Sequence, residues 1–80
     1  MPTKSDWDEA GGALERTFEL ESFPAAIAFA NRLAELAERE NHHPDIAISY
    51  RKVTVRWTTH SAGGITDRDQ ALAAETDTLQ

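Results

Sequence analysis

The hydrophobic pattern of this chain changes period, and that change limits the possible folds more than any other feature. Between residues 23 and 37 apolar side chains recur at helical spacing, whereas residues 46–57 alternate between apolar and polar, as strands do. Pro44 stands between the two patterns and cannot continue a helix. We therefore predict one long helix that ends at His42-His43, followed by a β-hairpin.

Shorter patterns on either side supply two more strands and a second helix. Residues 14–20 alternate well enough to form a strand, and a Gly-Gly turn before them allows pairing with a short strand around Trp7. A capping box at Thr66 and Asp69 begins a last helix that we expect to run to about Thr78. The predicted order is ββαββα, an α+β two-layer sandwich. It has a four-stranded, largely antiparallel sheet with both helices on one face.

The chain is long enough for one small domain. Its 80 residues bury only a modest share of the surface, so oligomerisation is a common source of extra stability at this size. Residues 1–6 are polar and precede the first predicted element, so we expect a flexible N-terminus there. Residues 7–80 then form the single domain.

Charge and composition disfavour several classes of function. The formal net charge is −6, and an acidic surface repels phosphate backbones and anionic lipids, so we expect no nucleic-acid and no membrane binding. Cysteine is absent, which removes disulfides and thiolate nucleophiles and suits a reducing cytoplasm. The apolar stretches are too short to span a bilayer, and the first residues do not form a secretion signal. We therefore predict a cytoplasmic protein.

The three histidines of the chain are its most informative polar residues. His42 and His43 lie at the predicted end of the long helix, and His60 follows the fourth strand. If the second hairpin packs beside the helix end, all three rings can line one pocket. Imidazole is the side chain whose ordinary pKa lies near neutrality, so one ring can donate a proton while another accepts one. The spacing therefore favours acid–base chemistry on a small molecule.

Two other interpretations of the histidines stay open at this point. Histidine near a helix C-terminus often acts as a cap, and His42 or His43 taken alone would more often be such a surface residue. Three histidines can also bind zinc, with water as the fourth ligand. Adjacent histidines rarely converge on one metal, however, and no glutamate stands at metalloprotease spacing. We therefore predict no metal site.

Two carboxylates are placed to support the histidines. Glu38 lies four residues before His42, one helical turn back, where it can orient an imidazole. By itself Glu38 is more simply an exposed helix carboxylate. Asp69 is the third residue of the last helix, where it acts as a capping-box acceptor. That capping role is compatible with a second role in shaping the site.

Taken together, these residues resemble the pattern of the pterin-4a-carbinolamine dehydratase family. The family spacing runs from an acidic residue through His-His-Pro and an aromatic residue to a further His and an Asp. In this chain it reads Glu38, His42-His43-Pro44, Tyr50, His60 and Asp69. The loop at residues 61–64 and the position of Trp7 are also similar to the family, and the resemblance covers the chain from Trp7 onward.

The resemblance implies the fold derived above and a hydro-lyase activity. The expected reaction removes water from 4a-hydroxytetrahydropterin to give quinonoid dihydropterin, without a metal or a bound cofactor. It assigns His42 and His60 to the acid–base pair and His43 mainly to holding the pterin. Thr59 and Ser61, which flank His60, are expected to bind substrate. Residues 38 and 69 are expected to act through the histidines.

The resemblance also implies partners. Family members form dimers by pairing sheet edges and often tetramers, so a homodimer or homotetramer is expected, with a functional link to phenylalanine hydroxylase. The alternative is a non-catalytic member of the same fold that acts as a protein assembly or dimerisation module. Longer members carry a helical segment before the tryptophan that corresponds to Trp7, and many have tryptophan where this chain has Ile46.

Overall fold

The computed structural model describes residues 6–80. The elements are β1 (Asp8–Ala10), β2 (Ala13–Glu19), α1 (Phe23–Glu40), β3 (Asp45–Ser49), β4 (Lys52–Trp57) and α2 (Asp67–Asp77), with a 3₁₀ turn at His60–Ala62. This is the predicted ββαββα order. The segment predicted to be flexible, residues 1–6, lies outside the described residues except for Asp6.

The four strands form one fully antiparallel sheet in the order β1-β2-β4-β3. Along β4 the side chains alternate strictly, with Val53, Val55 and Trp57 buried and the residues between them more exposed. The buried face is covered by both helices, α1 over β3 and β4, and α2 over β2 and β4. The predicted two-layer sandwich is therefore confirmed, and the opposite face of the sheet is open.

Helix α1 supplies most of the helical part of the core. The Ser22 hydroxyl accepts a hydrogen bond from the Ala25 amide at 3.1 Å, which caps the N-terminus. The buried residues recur at helical spacing and are Ala26, Phe29, Leu33, Leu36 and Ala37. Two apolar residues of the predicted helical pattern, Phe23 and Ile27, stay exposed.

The end of α1 differs from the prediction in a way that matters for the site. Asn41 adopts the left-handed conformation at φ 51°, and the His42 amide donates back to the Ala37 carbonyl at 3.1 Å. This is the geometry of a helix C-terminus closed by a left-handed residue. The helix therefore ends at Glu40, and His42 and His43 lie in the connection to β3 instead of in the helix.

Strand β3 is less buried than its alternation predicted. Ile46 and Ile48 pair with Val55 and Val53, so they face the helices, yet they remain 38% and 37% exposed. The reason is that β3 is an edge strand, with β4 on one side only. Tyr50 falls within the alternating pattern of residues 46–57, but it lies in the turn with positive φ and is 86% exposed. The turn of the hairpin is at residues 50–51.

Candidate active site

His42 is held by two contacts, one on its edge and one on its face. Its Nε2 atom lies 2.8 Å from Oδ1 of Asp69. Its ring stacks on the indole of Trp57, with centroids 5.7 Å apart and an interplanar angle of 14°. Trp57 is itself fixed by a hydrogen bond from its Nε1 to the Thr76 hydroxyl at 3.0 Å. His42 consequently has a side chain that is only 14% exposed and a defined orientation.

Asp69 is fully buried and is the centre of the polar network. Its Oδ2 accepts hydrogen bonds from the Thr59 hydroxyl at 2.7 Å and from the Thr66 amide at 2.8 Å. The Thr66 hydroxyl adds a longer contact at 3.2 Å. Burial alone raises the pKa of Asp69, but the hydrogen bonds from Thr59, the Thr66 amide, His42 and the Thr66 hydroxyl together outweigh it. They hold the pKa below its ordinary value. Asp69 is therefore a carboxylate at neutral pH.

The charge of Asp69 decides which nitrogen of His42 carries the proton. A carboxylate only accepts hydrogen bonds, so the Nε2 atom that faces Asp69 must be the donor. Within residues 6–80, no hydrogen bond engages the Nδ1 atom of His42. A neutral His42 therefore presents an unshared electron pair on Nδ1, the form that a general base requires.

His43 occupies a more open position than His42. Its Nε2 atom lies 2.7 Å from Oε2 of Glu38, and both side chains are more than half exposed. Glu38 thus contacts the imidazole of His43, one residue beyond the helical spacing that pointed to His42. The left-handed Asn41 ends the helical spacing before His42, so the turn of the chain brings His43 to Glu38 instead. An exposed pair of this kind contributes little stability.

His60 lines a cleft on the open side of the sheet. The cleft has a volume of about 320 Å³, which is within the usual range for small-ligand sites. Small residues and polar side chains line this cleft. They are Gly11, Gly12, Ala13, Asp45, Arg56, Thr58, His60, Gly63 and Gly64. No hydrogen bond or ring contact in the described chain joins His60 to His42 or His43. Of the three histidines, only His60 is among the residues that line this cleft, and the prediction that all three rings share one pocket stays a prediction.

The two residues that flank His60 have different surroundings. Thr59 donates its hydroxyl proton to Asp69, and its backbone pairs in both directions with Gly64, at 3.0 and 3.2 Å. The hydroxyl predicted to bind substrate is thus engaged inside the protein. Ser61 lies in the exposed 3₁₀ turn, is not among the residues that line the cleft, and makes no side-chain hydrogen bond within residues 6–80.

Two residues of the site were missed by the sequence analysis. Alternation places Trp57 on the buried face, a pattern typical of a packing residue, and gives no sign of the histidine that stacks on its ring. Arg56 gave only a weak signal, as a cation one residue before the end of β4 on the open face. Its position beside Asp45 follows from the strand register, which cannot be derived from the sequence alone.

Two further observations concern metals and membranes. Within residues 6–80, no group of three or more histidine or acidic side chains has a geometry suited to a metal ion. Neither helix of this described region combines the length and the apolar character needed to cross a bilayer.

The chain is similar in sequence to proteins whose names concern pterin chemistry. Residues 1–79 match the family model described as pterin 4 alpha carbinolamine dehydratase. A protein of Nocardia farcinica is 55% identical over 92% of this chain and 78% of its own length. A protein of Chloroflexus aurantiacus is 50% identical over 99% of this chain and 85% of its own length. Both carry the provisional name pterin-4-alpha-carbinolamine dehydratase.

Solved structures extend the similarity to the fold. A transcriptional coactivator/pterin dehydratase from Brucella melitensis superposes with a TM-score of 0.87 at 30% identity, covering 92% of this chain and 81% of that one. A pterin dehydratase-like protein described as a RuBisCO assembly factor in the α-carboxysome superposes with a TM-score of 0.79 at 28% identity, covering 94% and 89%. Since the family model spans almost the whole sequence, this chain belongs to the pterin-4-alpha-carbinolamine dehydratase family.

Proposed function

We propose that this protein is a 4a-hydroxytetrahydropterin dehydratase, a hydro-lyase that works by histidine acid–base catalysis. The observation that carries the proposal is the contact between His42 and the buried carboxylate of Asp69. A histidine held against a carboxylate on one nitrogen, with the other nitrogen open, is the arrangement of a general base. Family membership supplies the substrate class.

The chemistry needs one proton donor and one proton acceptor. The 4a-hydroxyl group leaves as water when it is protonated, and the proton on N5 is lost as the C4a–N5 double bond forms. His42 accepts the N5 proton on Nδ1, and Asp69 stabilises the resulting imidazolium. His60 supplies the proton to the leaving hydroxyl group. The two roles balance, because one proton enters with the leaving group and one proton departs from N5.

The supporting residues have distinct roles in this proposal. Thr59 keeps the Asp69 carboxylate in place by donating to Oδ2, which reserves Oδ1 for His42. His43, oriented by Glu38 on the exposed side, holds the pterin. Ser61 contributes a hydroxyl donor from the turn beside His60. The segment that carries the two adjacent histidines leads directly to Asp45, which lines the cleft.

The wider setting follows from the same proposal. Quinonoid dihydropterin, the product of the proposed reaction, is recycled for aromatic amino-acid hydroxylases. We therefore place the protein in the cytoplasm beside a hydroxylase such as phenylalanine hydroxylase. We further propose a homodimer or homotetramer. The support is that β3 is an edge strand whose Ile46 and Ile48 stay partly exposed, and an unpaired apolar edge favours pairing with another chain.

The direct test is the rate of 4a-hydroxytetrahydropterin dehydration near neutral pH, with the substrate generated in situ by a phenylalanine hydroxylase. We expect wild-type protein to accelerate the reaction and the His42→Ala variant to lose about 10²–10⁴-fold of that acceleration. Circular dichroism of each variant serves as the control for folding. A folded wild-type protein that leaves the uncatalysed rate unchanged would overturn the proposal.

A non-catalytic assembly role is the second candidate. It is favoured by the structural similarity to the protein described as a RuBisCO assembly factor. An assembly module needs its surface and has no use for the open nitrogen of His42. A variant with His42, His43 and His60 all changed to Ala separates the two. Loss of dehydration with unchanged self-association by sedimentation supports the enzyme, whereas wild-type protein that associates but never accelerates dehydration supports the assembly role.

A further inference from the structure

The cleft beside His60 contains a pair of opposite charges that face each other across two strands. Asp45 on β3 and Arg56 on β4 are direct partners in the sheet register and lie on the open face. Residues paired in this way have Cβ atoms about 4.5–5.5 Å apart, close enough to contact one ligand together. Both residues line the same cleft as His60.

Both side chains of this pair keep hydrogen-bonding groups without a partner in the described part of the protein. In residues 6–80 no ion pair joins Asp45 to Arg56, and no hydrogen bond engages the Asp45 side chain. Arg56 donates from Nη2 to the Ala10 carbonyl at 3.0 Å, while its Nε is buried without an acceptor. Of the other arginines in the described chain, Arg16, Arg39 and Arg51 contact a carboxylate, whereas Arg32 and Arg68 donate to backbone carbonyls as Arg56 does.

An orphaned buried donor in a native structure calls for a physical explanation. Burying part of a guanidinium group without an acceptor costs free energy, and that cost is offset if a ligand later completes the hydrogen bonding around the group. The Glu15 carboxylate is the other cross-strand neighbour of Arg56 and also makes no ion pair with it. Arg56 is therefore kept without a carboxylate partner although two carboxylates flank it.

We propose that Asp45 and Arg56 together bind the aminopyrimidinone edge of the pterin and determine substrate specificity. That edge presents two donors, the 2-amino group and N3–H, beside one acceptor, the 4-oxo oxygen. A carboxylate accepts from the two donors and a guanidinium donates to the oxygen, so the pair matches the edge group by group. This inference rests on the proposed function and adds the recognition of the substrate ring to it.

The arrangement also places the reacting atoms. In the pterin ring, the carbon that bears the 4-oxo oxygen is bonded to C4a, and C4a is bonded to N5. A pterin held with its oxo group at Arg56 and its amino group at Asp45 therefore points C4a and N5 away from Asp45. The remaining wall of the cleft includes His60 and Thr58. Recognition at one end of the cleft thus presents the 4a-hydroxyl group to the proposed acid.

A pair of matched ligands tests the proposal. We would measure the binding of 7,8-dihydropterin and of 7,8-dihydrolumazine, which has an oxo group in place of the 2-amino group, by calorimetry. Wild-type protein is expected to prefer the amino compound by about tenfold or more, since the oxo group faces the Asp45 carboxylate. In Asp45→Asn the side-chain amide can donate to that oxo group. This variant should bind the amino compound about tenfold more weakly and lose the preference.

Arg56 variants and a neighbouring control complete the test. Arg56→Gln should weaken both ligands about equally, because both keep the 4-oxo oxygen, and Arg56→Lys should restore part of the affinity. Glu15→Gln removes the same charge from the other neighbour of Arg56 but outside the cleft lining, so it should leave both affinities unchanged. Thermal unfolding of every variant checks that the fold is intact.

The outcomes separate this inference from the proposed function. An unchanged ligand preference in a folded Asp45→Asn variant would overturn the recognition of the ring edge while leaving the dehydratase proposal in place. Equal effects of Glu15→Gln and Asp45→Asn would overturn it too, since they would reflect general charge. Wild-type protein that neither binds these ligands nor dehydrates 4a-hydroxytetrahydropterin would remove both proposals.

Discussion

His42 and His60 lie in opposite kinds of surroundings. His42 is bonded at one edge to the buried Asp69 and stacked on Trp57, so its ring is fixed before any substrate arrives. His60 lies on an exposed turn at the mouth of a cleft, and no side chain in residues 6–80 bonds to its ring. Under the proposed function, one imidazole is preorganised by the fold and the other would be oriented by the ligand.

The largest effect is expected from Asp69→Asn, which removes the carboxylate that holds His42. The donors at Thr59 and Thr66 would keep the side-chain oxygen on their side and turn the amide nitrogen toward His42. Nε2 would then have to accept, the proton would move to Nδ1, and the base would be lost. We expect the dehydration rate to fall about 10²–10⁴-fold.

Steady-state kinetics with circular dichroism would check the Asp69→Asn prediction. Asp67→Asn is the matched control, because Asp67 is in the first turn of the same helix and makes no hydrogen bond with its side chain in the described chain. Near wild-type turnover in a folded Asp69→Asn variant would show that the carboxylate does not determine the state of His42.

The His60→Ala variant tests the role of the exposed imidazole. His60 is exposed and outside the core, so the variant should fold normally. The rate should fall by about 10²-fold, at the lower end of the range for a positioned acid, because water and buffer can reach the cleft and donate in its place. Added imidazole should restore part of the rate. An unfolded His60→Ala variant by circular dichroism would contradict this placement.

Removing one hydroxyl sharpens the account of how His42 is held. Thr59→Val keeps the shape of the side chain but leaves Asp69 Oδ2 without its shortest side-chain donor. We expect a loss of stability of about 1–3 kcal/mol, measured by urea unfolding, and a lower turnover. Thr59→Ser should recover most of both. Thr17→Val, which removes a hydroxyl that bonds to Thr54 on the open face, should leave turnover unchanged.

The pKa of Asp69 gives a smaller effect that depends on pH. Its hydrogen bonds hold the pKa below the ordinary value in the folded state. A depressed folded pKa contributes stability that is present above the unfolded pKa, about 4, and is lost as the pH falls through the folded value. Urea unfolding of wild type between neutral pH and pH 3 should therefore show a decline that is shallower in Asp69→Asn. Equal slopes would contradict the assigned shift.

The smallest effect is expected at Glu38. Its contact with His43 is between exposed groups, and such pairs contribute about 0–1 kcal/mol. Glu38→Gln should therefore leave the free energy of unfolding nearly unchanged and affect the Michaelis constant for the pterin more than the turnover number. A fall in turnover as large as that of Asp69→Asn would mean that Glu38 acts on His42 after all.

The sequence predicted the fold well because its main signals are local. The change of hydrophobic period and the capping box at Thr66 each depend on a few neighbouring residues, and the structure has both. The end of α1 was misplaced by two residues, since a left-handed Asn41 and a proline at residue 44 allow several end points. Burial along β3 was overestimated because edge position depends on the sheet order.

The site was predicted only in part, because its contacts join distant segments. Asp69 and His42 are 27 residues apart. Nothing in the spacing shows that the carboxylate bonded to His42 is Asp69 and not Glu38. The pairing of Asp45 with Arg56 follows from a strand register. The family pattern identified the three histidines as candidate site residues. That His42 is held by the fold while His60 is not could be seen only from the three-dimensional contacts.

The central claim is that the fold fixes His42 with its proton on Nε2 and its Nδ1 open. The most direct measurement is ¹⁵N NMR of the histidine ring nitrogens at a pH where His42 is neutral, assigned with the His42→Ala variant. We expect a protonated Nε2 and a bare Nδ1 in wild type, with the opposite tautomer in Asp69→Asn. A wild-type His42 with its proton on Nδ1, or an equal mixture of the two tautomers, would contradict it.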